Sequence, residues 1–264
     1  MTYKDNRPIA FFDSGVGGLT VFEKVKKLLP NENYLYFGDT KHMPYGEKSK
    51  DELIEYANKI FKFFESMNAK AVVMACNTTS AITYEILKDK YEYKIYPIIQ
   101  TVCKSLAEIP NINKLGIIAT PATINSHAYS NGIKKYNPNL NIIELQAPNW
   151  VKIVEEHRIN TTESKLQIKE ILDEMQKHSP NKIVLACTHY PYLLGVLKEF
   201  LPEDKFIDPS VKFAEIIKKD LTKNNLLGNK FEYEKFFVSS NPENFKTASE
   251  LFYKLDELPI LQSI

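Results

Sequence analysis

Short apolar runs alternate along the chain with longer stretches in which apolar positions recur every three or four residues. Ile9–Phe12, Tyr34–Phe37, Ala71–Ala75, Leu115–Ala119 and Ile183–Ala186 are of the first kind. A run that is apolar throughout is what a strand buried on both faces requires. Between them, Leu19, Phe22, Val25 and Leu29 share one helical face, as do Leu53, Ala57, Ile60 and Phe64. The spacing predicts helices over 19–29, 49–67 and from Cys76 to about Lys90, then over 164–177, 192–200 and 245–255. Shorter strands are expected at 94–99, 141–145 and 236–240. Strands and helices alternating in this way imply a parallel sheet with helices on both faces. The rhythm restarts near residue 115. The fold expected is therefore α/β, with two similar lobes, each a mainly parallel sheet flanked by helices. The first lobe takes residues 1–100 and 214–264, the tail returning to it, and the second takes 101–213.

Composition narrows the class without naming a chemistry. A chain of 264 residues with 44% hydrophobic and 25% charged residues is ordinary for a globular protein. A net charge of +1 gives no general reason to expect nucleic acid or an acidic membrane surface as partner. Met1–Pro8 is polar, Ile9–Phe12 is too short for a secretory core, and no apolar stretch approaches a membrane span. Three cysteines without tight spacing argue against a disulfide framework and for a reducing, cytoplasmic setting.

The cysteines change the picture. Ala71-Val72-Val73-Met74-Ala75-Cys76-Asn77-Thr78-Thr79 and Lys182-Ile183-Val184-Leu185-Ala186-Cys187-Thr188-His189 share one plan: an apolar strand, then Ala-Cys, then small polar residues. A cysteine is most often just a small buried hydrophobe, and Cys103 reads that way. Two at matched strand-to-helix turns are harder to dismiss, because that edge is where open α/β sheets bind ligands and where a helix N-terminus favours a thiolate. Asp13 ends the first strand beside Gly15-Val16-Gly17-Gly18, as a cap or as a carboxylate able to take a proton from a thiol. The glycine run lacks both the Walker lysine and dinucleotide spacing. His189, two residues from Cys187, can hold that thiol as thiolate or deliver a proton to it. Glu155 and Glu156 by default belong to a solvated surface. Two thiols facing each other across a cleft between the lobes would remove a proton from one face of a carbon and return one to the other, without pyridoxal phosphate or metal.

These stretches resemble glutamate racemases, within the aspartate/glutamate racemase family. The matches are Asp13–Val21, Gly38-Asp39 with Pro44-Tyr45-Gly46, Ala75–Ala81, Ala119–Thr123 with Ser126 and Tyr129, and Cys187–Pro191, in family order. The resemblance implies a two-lobe α/β fold, no cofactor, and cytoplasmic interconversion of L- and D-glutamate for peptidoglycan. Its partner is the small-molecule substrate; homodimers are common in the family. By the same resemblance Cys76 and Cys187 are the acid/base pair, Asp13 supports Cys76, and His189 and Glu155 support Cys187. Asp13, Ser14, Pro44, Tyr45, Gly46, Asn77, Thr78, Thr120, Thr123, Thr188 and His189 would hold the substrate. Three segments depart from the family pattern: Ala147–His157, where Ala147, Lys152 and His157 are unusual; Gln100-Thr101-Val102; and Asn125–Tyr129. Three alternatives stay open: a racemase of aspartate or another acidic amino acid, a non-catalytic ligand-binding relative, and a single-cysteine hydrolase or decarboxylase.

Overall fold

The computed structural model describes residues 4–264. The first sheet-forming stretch runs β1 (Ile9–Asp13), α1 (Leu19–Leu28), β2 (Tyr34–Gly38), a 3-10 turn at Tyr45–Glu47, α2 (Lys50–Ser66), β3 (Ala71–Met74), α3 (Asn77–Leu87), β4 (Lys94–Pro97) and α4 (Ile98–Ala107). The next runs β5 (Lys114–Ala119), α5 (Pro121–Asn125), α6 (Ala128–Lys134), β6 (Asn141–Gln146), α7 (Trp150–Glu155) and α8 (Thr162–Lys177). After β7 (Lys182–Ala186) come a 3-10 turn at Tyr190–Leu193, α9 (Leu194–Leu197), β8 (Phe206–Ile207) and α10 (Pro209–Lys223). The tail holds β9 (Glu234–Val238), α11 (Pro242–Ser249) and β10 (Ile260–Leu261).

Among the described residues all the strand pairs are parallel, in two sheets ordered β10-β9-β2-β1-β3-β4 and β6-β5-β7-β8. The fold is the expected α/β one, and β9 and β10 add the tail to the first sheet beside β2. Side-chain alternation divides the first sheet between two cores. Ala10, Phe12, Leu35, Phe37, Val72 and Met74 pack with Leu53, Ala57, Ile60, Phe61 and Phe64 of α2. The opposite face, with Phe11, Tyr36 and Val73, joins α1, α4 and α10 in a core that continues into β5, β7 and α8. A buried apolar layer therefore fixes one sheet against the other. Among the described residues no helix is long and apolar enough to cross a membrane.

Several predicted elements differ in extent: the tail strand lies at Glu234–Val238 rather than 236–240, the helix after Cys76 ends at Leu87, and three others differ more. The strand expected at 94–99 stops at Pro97, and Ile98, Ile99, Val102, Cys103 and Leu106 form the buried face of α4. The helix expected over 192–200 is a 3-10 turn followed by the single turn of α9. The tail helix starts earlier, where the Asn241 side chain accepts the Asn244 N–H as an N-cap, and ends at Ser249.

Candidate active site

The two sheets present matching edges to each other. β1 and β3 are neighbours in the first, with Phe12 opposite Met74, and β5 and β7 in the second, with Ala119 opposite Ala186. Each chain leaves its strand at the same end and turns into the space between the sheets. Ser14, Cys76, Asn77, Thr78, Thr120, Cys187, Thr188 and His189 line that cleft, with Pro44, Tyr45 and Gly46 from the loop after β2. Its volume is about 660 Å³, open mouth included. Cys76 and Cys187 are 6% and 8% exposed, so each sulfur is shielded from bulk water yet reaches the cleft wall. Cys103 is buried under α6, its Sγ 4.0 Å from the Tyr129 carbonyl, and belongs to the core.

Cys76 is the N-cap of α3. Burial, reinforced by the Asp13 carboxylate, pushes its thiol up to about 12, and Thr79 offsets only part of the rise. Asp13 is itself fully buried. Desolvation pushes it up to about 6 against the pull of His189, the N–H groups of Gly15 and Gly18, and the Thr188 hydroxyl. The Gly15 N–H donates to Asp13 Oδ1 at 3.0 Å, and the Thr188 hydroxyl, from the other sheet, donates to Oδ2 at 3.2 Å.

On the opposite wall His189 Nδ1 lies 3.8 Å from Cys187 Sγ, and its Nε2 lies 2.5 Å from Glu155 Oε1. Burial alone would lower this imidazole, but Cys187 and the Glu155 carboxylate outweigh it and hold it well above its ordinary value. Glu155 is not the solvated residue its composition suggests, because α7 ends there and turns the carboxylate onto His189. A charged imidazolium between a carboxylate and a sulfur can pass a proton to that sulfur.

The remaining expected residues fall into walls and supports. Thr78 Oγ1 lies 3.0 Å from Thr120 Oγ1 and 3.3 Å from Thr123 Oγ1, a hydroxyl network that crosses between the sheets. Thr123, Asp13 and Glu155 stand behind the wall rather than in it. Tyr129 donates to Asn77 Oδ1 at 2.7 Å, which leaves the buried Asn77 Nδ2 as a donor with no protein partner. Asp39, read from sequence only as part of a motif, is a buried hub. It accepts from the Tyr45 hydroxyl, from His42 at 2.9 Å and from Ser239 at 2.6 Å, and so anchors the Pro44–Gly46 wall. Its position one residue beyond β2, at the edge that carries Asp13, was the available signal. Met43, Glu47, Pro121, Pro148, Val151 and Lys152 complete the lining without having been predicted. At the departing segments, Ala147 is buried with its carbonyl accepting the Tyr190 hydroxyl, and Gln100 exchanges hydrogen bonds with Ser80. Among the described residues no group of three or more His, Cys, Asp or Glu is arranged to hold a metal.

A model of the family described as Asp/Glu/Hydantoin racemase matches residues 18–212. The chain is 38% identical over 262 residues to glutamate racemase 2 of Caldanaerobacter subterraneus subsp. tengcongensis, covering 97% of this chain and 98% of that one. The solved glutamate racemase of Francisella tularensis, in complex with D-glutamate, superposes with a TM-score of 0.89 at 34% identity over 98% of both chains. The aspartate racemase of Picrophilus torridus, at 18% identity and a TM-score of 0.59 over 82% of this chain and 93% of that one, shares the fold alone.

Proposed function

The chain belongs to the Asp/Glu/Hydantoin racemase family and is an amino-acid racemase, and we propose that it interconverts L- and D-glutamate by proton transfer between two thiols. The observation that carries the mechanism is the pair of cysteines at matched strand ends facing one cleft. A substrate whose Cα lies between them presents its hydrogen to one sulfur and its opposite face to the other. One thiolate removes the proton, the carbanion flattens, and the opposing thiol returns a proton to the far face. Asp13 takes the proton from Cys76 when that sulfur is the base, and His189, held by Glu155, returns or receives it at Cys187. These four groups supply acid and base in both directions, so the cycle calls on no cofactor.

Substrate anchoring follows from the donors that face the cleft. The N-terminus of α3 offers backbone N–H groups at Asn77 and Thr78 to a carboxylate. The unpartnered Asn77 Nδ2 would be satisfied by the same group. Thr188, Thr120 and the Tyr45–Gly46 backbone surround the other end. The high identity to glutamate racemases along nearly the whole chain favours glutamate over aspartate. In a bacterial cell the product would serve as the D-glutamate of peptidoglycan, made by a cytoplasmic enzyme.

Incubation of the purified protein with L-glutamate in D2O, followed by NMR of the α-proton and chiral analysis, tests this reading. Deuterium entering Cα together with accumulating D-glutamate is the expected result. Exchange with aspartate instead keeps the chemistry and moves the substrate, and exchange with neither acid overturns the function.

A further inference from the structure

Of the described residues lining the cleft, Lys152 is the one lysine or arginine. It stands on α7 at the mouth, 53% exposed, with Nζ 3.5 Å from the Glu47 carboxylate on the opposite side of the cleft. Glu47 is itself 66% exposed, and an ion pair that wet is weak, so either partner can release the other readily. The other cationic group of the lining, His189, is held inside between Glu155 and Cys187 and does not face the entrance. Lys48 and Lys50 line an adjoining crevice, which shares Gly46, Glu47 and Pro121 with the cleft, and neither lines the cleft itself. The chain's net charge of +1 supplies no global attraction for an anion. An exposed cation in the wall of a low-dielectric cleft then adds directly to the local potential met by an arriving carboxylate.

Resting on the reading given above, we propose that Lys152 is a specificity-determining entry residue, which exchanges the Glu47 carboxylate for a carboxylate of the incoming substrate. The device selects amino acids that carry a second carboxylate, because a zwitterion without one has no net charge for Lys152 to draw in. Glu47 competes for the same ammonium and so restrains entry when no substrate is present.

Racemisation kinetics at about 0.01 M and about 1 M salt, where the Debye lengths are about 30 Å and 3 Å, read this out. Lys152→Gln is expected to lower kcat/KM about 3- to 10-fold at low salt, chiefly through KM, and Lys152→Arg to retain it. Glu47→Gln should raise kcat/KM at low salt, and all variants should converge at high salt. Lys177→Gln removes the same charge from the C-terminal end of α8, outside the cleft lining, and should match the wild type. A wild type that racemises while Lys152→Gln equals it at low salt overturns the entry role alone. So does a loss that Arg fails to rescue or that persists at high salt. A wild type that leaves both enantiomers of glutamate unchanged overturns the functional reading, and the entry role falls with it.

Discussion

Asp13 carries a conflict that a purely structural residue would not tolerate. A carboxyl pushed up to about 6 by burial binds its proton more readily folded than unfolded. Its ionised form therefore opposes folding above pH 6, by about 3 kcal/mol for a rise from 3.8, and the penalty fades as pH falls toward 3.8. Asp13→Asn should accordingly unfold at a higher temperature than the wild type at pH 8, with the difference shrinking by pH 5. The same substitution should cut kcat at least about 100-fold and remove an acidic limb near pH 6 from the kcat/KM profile. A variant that is both less stable at pH 8 and fully active would show Asp13 to be a mere turn residue. The thiols make a sharper case. With Cys76→Ser or Cys187→Ser, racemisation should fall by at least about 100-fold, because a hydroxyl is far less acidic than a thiol. The remaining cysteine still faces one side of Cα, so each variant should exchange the α-proton of one enantiomer, with opposite preference for the two. NMR in D2O with each enantiomer separately reads this, and loss of the same enantiomer's exchange in both variants would sink the two-sided arrangement.

The turns after β1 and β7 interlock. A Cβ at Gly17 would lie 2.6 Å from the His189 ring and from Thr188 Oγ1, both on the opposite sheet. Gly17→Ala must therefore push His189 off Glu155 or spread the two edges. We expect a kcat loss of about 10- to 100-fold and a shifted basic limb in the pH profile, with the fold retained by circular dichroism. Unchanged kinetics would mean that the sheets part without consequence. This contact also marks where the sequence stopped being readable. β1, β2, β3, β5 and β7 were legible because a strand buried on both faces must be apolar throughout, and Cys76 and Cys187 because each follows such a run. Glu155 was not legible from composition, since its burial depends on α7 ending against His189, a contact across 34 positions. Asp39 was missed as a hub because its partners Ser239 and Tyr45 come from separate segments, one of them in the tail. Ile98 and Ile99 read as strand because two β-branched residues after Pro97 carry no local sign of the turn that starts α4.

The tail ties these local arrangements into one object. Ser239 bonds to Asp39, Phe245 packs against Gly38, and Phe252 sets its ring against Tyr192, with centroids 3.7 Å apart, and near His189 at 6.4 Å. The same segment thus supports the Pro44–Gly46 wall of one sheet and the His189 turn of the other. We propose the division into a lobe of residues 1–100 with 214–264 and a lobe of 101–213, α10 crossing between them. Because one apolar core is shared by both sheets, neither lobe should unfold alone. Trp150, the single tryptophan, is buried against Tyr190 in the second lobe, so its fluorescence reports on that lobe, while far-UV circular dichroism reports on both. Urea titrations followed by the two signals should coincide. Phe252→Ala removes a buried ring and should lower stability by about 3 kcal/mol while keeping the two transitions together. Phe252→Leu should recover most of that stability, yet still lower kcat if the ring's edge steadies His189. Separation of the two transitions in the wild type would show instead that the lobes are coupled only through the cleft. The alignment of Cys76 with Cys187 would then depend on the substrate rather than on the fold.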